Sequence, residues 1–145
     1  MADVFVVRTV EQAEHAVAVL RAAPGAHAWD TEVADIDLSR QSPVGNGTLL
    51  CMSCYAGPEV TFGEPGQCRL WVDCWGMAGG VPARVAAEAL ASGDISAAGL
   101  PVLGPFRSYF AEASARLVWH NYSFDAHILQ VSRMLIYQSL ACIYH

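Results

Sequence analysis

Three apolar segments lying close together, "AHAWDTEV", "TLLCMSCYAG" and "CRLWVDCW", restrict what this chain can fold into more than any other feature. Each is rich in the β-branched, aromatic and other apolar residues that suit a pleated backbone. The stretches between them, "SPVGNG" and "GPEVTFGEPG", carry the Gly, Pro and Asn of turns. Three strands this close in sequence suggest antiparallel meander pairing. Before the meander, "DVFVVRTV" reads as a strand. "EQAEHAVAVLRAA" then repeats its apolar residues at helical spacing until Pro24-Gly25 stops it. After it comes the Ala- and Gly-rich "GMAGGVPARVAAEALASGDISAAGLP", a loop expected to carry one short helix from Pro82 to Ala91. The chain continues with a helix in "PVLGPFRSYFAEA", a buried strand in "ARLVWHN" and a helix in "SFDAHILQVSRML". The fold class is α/β: a mixed sheet of three antiparallel strands followed by helix, strand and helix.

At 145 residues the chain fits one domain with a real core. Hydrophobic residues make up 54% and charged residues 15%, yet no apolar run approaches the roughly 20 residues of a membrane helix. A soluble globular domain without membrane contact is expected. The net charge of -6 is unlike that of most nucleic-acid binders, although every cationic side chain is an Arg able to grip phosphate with a planar fork. Five cysteines and the absence of an opening signal peptide point to a reducing compartment. Cys51 and Cys54 have metal-like spacing. On a strand, however, residues three apart face opposite ways, and no second such pair follows, so zinc is not expected.

Chemistry is suggested by the acids. Asp30 and Glu32 sit two apart on a strand and project from one face with α-carbons about 7 Å apart. Like charges that close repel, and a divalent metal bound by hard oxygen ligands, Mg²⁺ or Mn²⁺, is the usual remedy. Asp125 lies in the first turn of the last helix, directly after a strand that can run beside the one bearing Asp30. Three acids converging at strand ends suit two ions about 3.5–4 Å apart and phosphodiester hydrolysis. Each residue also has a plainer role: Asp30 and Glu32 as solvated acids at a strand end, Asp125 as a charge complementing the helix dipole, Asn121 as a helix cap. Phe124 and Trp119 read as core aromatics, and Asp35 and Asp37 as solvated loop charges.

Together, "WDTEV" and "WHNYSFDAHIL" resemble the first and second motifs of the proofreading 3′–5′ exonuclease domain of family A DNA polymerases, on the ribonuclease-H-like fold. The likeness is greatest to plant and algal organellar polymerases, with the "SPV" turn, "YAGPE"-like hairpin and "WVD" strand in the same order, from about Ala26 to Leu129. It implies a motif-bearing core over 26–129, a β-α extension over 1–25 and a divergent tail over 130–145. By resemblance Asp30, Glu32 and Asp125 are the catalytic metal ligands for two Mg²⁺ or Mn²⁺ ions. Thr31, Ile36, Asn121 and Phe124 fall among the substrate-binding positions, with Ile36 equally readable as a core residue. The implied substrate is the 3′ end of single-stranded DNA, the implied partner a family A polymerase domain, and the implied compartment a chloroplast or mitochondrion.

The resemblance departs at the tail. The family's third motif places a Tyr or His shortly before a final Asp, whereas "HILQVSRMLIYQSLACIYH" offers Tyr137, Tyr144 and His145 and no acid. The expectation is therefore a fold incomplete at the C-terminus and weak or absent activity. The alternative is a catalytically inactive module that binds nucleic acid or a polymerase partner.

Overall fold

In the computed structural model, which describes residues 3–42, 47–74, 101–120, 122–131 and 139–143, the chain begins with strand β1 (Val4–Val7) and helix α1 (Val10–Ala22). A capping box starts the helix. Thr9 Oγ1 accepts from the Gln12 N–H at 3.2 Å, and Gln12 Oε1 accepts from the Thr9 N–H at 3.1 Å. Ala13, Ala16, Val17 and Leu20 form its buried stripe, at the three- and four-residue spacing that lines one side of a helix. Pro24 lies just past the last turn, and Gly25 takes the left-handed φ of +97° that turns the chain toward the sheet.

The meander follows as β2 (His27–Ala34), β3 (Thr48–Tyr55) and β4 (Arg69–Asp73), with both pairings antiparallel. Strand β1 adds in parallel to the outer side of β4. Helix α2 (Leu103–Phe110) leads to β5 (Leu117–His120), which lies parallel to β2, and α3 (Tyr122–Val131) leads to β6 (Ser139–Ile143), parallel to β5. The sheet order is β1-β4-β3-β2-β5-β6. Strand β6 extends the sheet beyond the helix-strand-helix ending expected from the sequence; its Ser, Ala and Cys have little strand preference, so composition does not announce it. The helix expected at Pro82–Ala91 lies outside the described residues, as do Asn121, Tyr137, Tyr144 and His145. Among the described residues no helix is long and apolar enough to cross a membrane.

Alternation along β2 decides what the core receives. His27, Trp29 and Thr31 are buried, while Ala28, Asp30 and Glu32 are exposed. Trp29 meets Phe110 edge-on, with ring centroids 4.8 Å apart at 78°, and also touches Phe106 at 5.9 Å and Trp119 at 6.2 Å. Helix α1 packs beside α2, and at their rim Arg21 binds Glu112 and Ser108. One buried polar pair on this side is His27 with Tyr109, Nδ1 to hydroxyl at 2.5 Å.

Trp29→Ala should cost about 3–5 kcal/mol in urea unfolding, because it removes the ring on which Phe106, Tyr109, Phe110 and Trp119 converge. Burial holds His27 below the 6.5 of a free imidazole, so the unfolded chain takes up a proton that the folded ring resists. This contribution to stability is complete above pH 6.5 and is lost as the pH falls through it. Melting curves on the two sides of that value should differ less for His27→Gln than for the parent chain.

Candidate active site

Asp30 and Glu32 stand on the exposed face of β2, Asp30 opposite Ser53 and Glu32 opposite Cys51 of β3. A register shift between Glu32 and Val33 bends the strand immediately beyond them. The return path is tight: Gly47 has φ +89°, and a Cβ there would come within 2.7 Å of the Val33 side chain. The face carries a negative field. Cys51 is pushed up to about 11, first by burial and then by the charge of Glu32, with Asp73 and Asp30 adding to it. Asp73 is compensated, its Oδ2 accepting from Arg8 Nε at 3.1 Å.

Asp125 comes to the same strand from the other side. It sits in the first turn of α3 and is buried, and its Oδ1 accepts a hydrogen bond from Thr31 Oγ1 at 2.5 Å. Its second oxygen, Oδ2, is buried with no hydrogen-bond partner among the described residues. Burial raises its pKa to about 6; the Thr31 hydrogen bond opposes this, and the charge of Asp30 adds to it. Asp125 is thus anchored to the residue between Asp30 and Glu32 and lies within electrostatic reach of Asp30. Among the described residues no three His, Cys, Asp or Glu side chains gather as ligands of a single ion.

The remaining sequence-selected residues fall around this centre. Ile36 is half-buried in the turn after β2, and Phe124 packs against the edge of the core. Asp35 adopts φ 58° and accepts from Thr48 Oγ1 at 3.3 Å, while Asp37 is exposed and caps its own turn through Ser39. Two features had gone unread in the sequence. Thr31 faces inward, which the two-residue period of a strand already implies once Asp30 and Glu32 are placed outward. Second, the open face of the sheet holds a groove of about 480 Å³, lined by Asp30, Ser53, Tyr55, Arg69, Trp71 and His120 among others. Tyr55 and Trp71 are 42% and 41% exposed there, unusual for large aromatics, and "CRLWVD" alternates so as to put Trp71 on that face.

No family model matches the chain. It is 36% identical over 129 residues to the chloroplastic/mitochondrial DNA polymerase I A of Arabidopsis thaliana, an alignment covering 88% of this chain and 10% of that protein. It is also 36% identical over 132 residues to the mitochondrial DNA polymerase I B of Oryza sativa subsp. japonica, covering 88% of this chain and 11% of the relative. The chain therefore spans about a tenth of the length of these curated relatives. Among solved structures, Trypanosoma brucei RNase D in complex with the RNA U12 superposes with a TM-score of 0.58 at 13% identity, over 88% of this chain and 32% of that one. The likeness places the sheet and helices in the ribonuclease-H-like fold.

The Thr31 contact yields a direct test. Thr31→Val removes the side-chain donor to the buried carboxylate of Asp125 and should cost about 1–3 kcal/mol in urea unfolding, whereas Thr31→Ser, which keeps the hydroxyl, should recover most of the loss.

Proposed function

The chain belongs with the plant organellar DNA polymerase I proteins over the stretch it shares with them, and on that premise we propose that it is a 3′–5′ exonuclease domain of proofreading type, acting on the 3′ end of single-stranded DNA. The observation that carries this reading is the meeting at β2 of Asp125, from a helix about ninety residues downstream, with the strand that bears Asp30 and Glu32.

The residues present suit a hard divalent cation in kind. The buried, unpartnered Oδ2 of Asp125 lacks a positive partner, Asp30 and Glu32 add carboxylates, and oxygen donors favour Mg²⁺ or Mn²⁺. Asp30, Glu32 and Asp125 would hold the metal, which would supply an activated water and steady the charge on the leaving oxygen. Thr31 serves by fixing the carboxylate of Asp125. Asn121 and Phe124 would help to hold the terminal nucleotides, and Ile36 would rest against the terminal base.

A strand entering beside Asp30 meets the flat faces of Trp71 and Tyr55. Stacking contributes about 1–3 kcal/mol per base and tolerates an acidic domain better than binding by phosphate contacts alone. The domain would work beside a polymerase domain in a chloroplast or mitochondrion, the compartments named for its relatives. A second reading, a non-catalytic module that binds nucleic acid, is favoured by one observation: no three-ligand group forms among the described residues.

An end-labelled single strand incubated with the chain and Mn²⁺ should shorten from its 3′ end. Asp30→Ala and Asp125→Ala should each abolish the shortening, and Trp71→Ala should weaken strand binding while leaving the fold intact. Metal-independent cleavage, or cleavage that survives Asp30→Ala, would overturn the enzymatic reading. Strand binding without any cleavage would establish the second.

A further inference from the structure

The groove beside Asp30 owes its shape to a regular arrangement of side chains on the open face of the sheet. Directly paired residues share a face, so Ser53 lies between Asp30 on β2 and Trp71 on β4, and Tyr55 lies between Ala28 and Arg69. Ala28 and Ser53 are small and form a floor, beside which the exposed rings of Tyr55 and Trp71 stand. Tyr55 is the diagonal neighbour of Asp30, and Trp71 that of Tyr55, each step spanning about 7–8 Å between α-carbons. Trp71 is two strand spacings from Asp30, about 10 Å. That is about three steps of a stacked strand at about 3.4 Å per residue, and fewer where the strand is extended. A base lying on Trp71 therefore belongs to a nucleotide upstream of the one at the acids.

The order of the sheet gives the direction. Phe124 and Asp125 belong to α3, which connects β5 to β6 on one flank of β2, whereas β3 and β4 lie on the other. A terminal nucleotide held from α3 leaves the rest of its strand to cross β3 toward β4. Charge indicates what is gripped on the way. Arg69 donates from Nη1 to Asp3 Oδ2, and Arg8 from Nε to Asp73 Oδ2, so both guanidinium groups bordering these rows already have carboxylate partners. The same face carries Asp30, Glu32 and Asp73. Phosphates gain little in such a place, whereas every base has a flat face that an aromatic ring can take.

We propose, resting on the exonuclease reading for the direction of the strand, that this groove is an upstream subsite for unpaired bases. Tyr55 stacks on a base just behind the 3′-terminal nucleotide and Trp71 on the next, so the chain requires several unpaired nucleotides and holds them by their bases rather than their phosphates. A duplex, with its bases stacked and paired internally, presents no free face to either ring.

Fluorescence anisotropy of 5′-labelled hexathymidylate, with a chelator present to keep the strand intact, reads binding without turnover. Strands carrying a single abasic residue are compared position by position. Loss of the base at one of the second to fourth positions from the 3′ end should weaken binding about tenfold, as Trp71→Ala should, while loss of the 5′-terminal base costs little. Combining Trp71→Ala with the abasic residue that Trp71 meets should cost no more than either change alone. Trp71→Phe, which keeps an aromatic face, should retain most of the affinity. The logarithm of the affinity should fall with the logarithm of salt at a slope below about 1, where a grip through about three phosphates gives about 2. Equal losses at every abasic position, additive losses with Trp71→Ala, or the steeper slope overturns the proposal. Self-association that Trp71→Ala abolishes while strand binding stays unchanged also overturns it, because the face is then an interface between copies of the chain. Positional binding without cleavage in Mn²⁺ supports the subsite and removes the exonuclease reading alone.

Discussion

The hydrogen bond from Thr31 to Asp125 ties the meander to the helix that follows β5, and it exists only because β2 alternates strictly. With Trp29 committed to the aromatic core, Thr31 must face the same way, and Asp30 and Glu32 must face outward. A slip of one residue in the pairing of β2 with β3 would put both acids among Phe106, Phe110 and Trp119 and bring the indole into water, so the core fixes the register of the acids. Precision at the exposed acids is thus inherited from packing on the opposite face.

Much of this is legible in the sequence. The meander followed from three strand-like segments lying close together with turn residues between them, and the helices at α1, α2 and α3 followed from apolar spacing, Pro24 and Gly25 marking the first stop. Strand β6 was not legible, because "SLACI" has only one residue with strong strand preference, Ile143, and its place is set by pairing with β5, a long-range fact. The orientation of Thr31 could have been deduced from the spacing that placed Asp30 and Glu32 outward. The burial of Asp125 could not: an acid in the first turn of a helix is as easily a solvated charge favoured by the dipole, and only the neighbouring Thr31 distinguishes the two. The outward aromatics were hidden for a similar reason, since Trp71 and Tyr55 belong to residue types that usually signal core.

The two sides of β2 maintain different electrostatic regimes. On the core side, His27 and Asp125 are each shifted toward the neutral form, the imidazole downward and the carboxyl upward, by the same loss of solvent. On the open side, Asp30 and Glu32 remain in contact with water, and their charge is felt by Cys51 and, through Asp30, by Asp125. Asp125 therefore sits at the boundary, with one oxygen satisfied from the core by Thr31 and the other without a hydrogen-bond partner among the described residues. Replacing Thr31 by an apolar residue would remove its side-chain hydrogen bond to that carboxylate and make the ionised form still harder to sustain. Because the hydroxyl can donate to Oδ1 whether or not Oδ2 carries a proton, it can hold the carboxyl in place in both charge states. An acid fixed in position while its second oxygen stays uncommitted is what a shared cation requires, and on this chain the middle residue of "DTE" is what keeps it there.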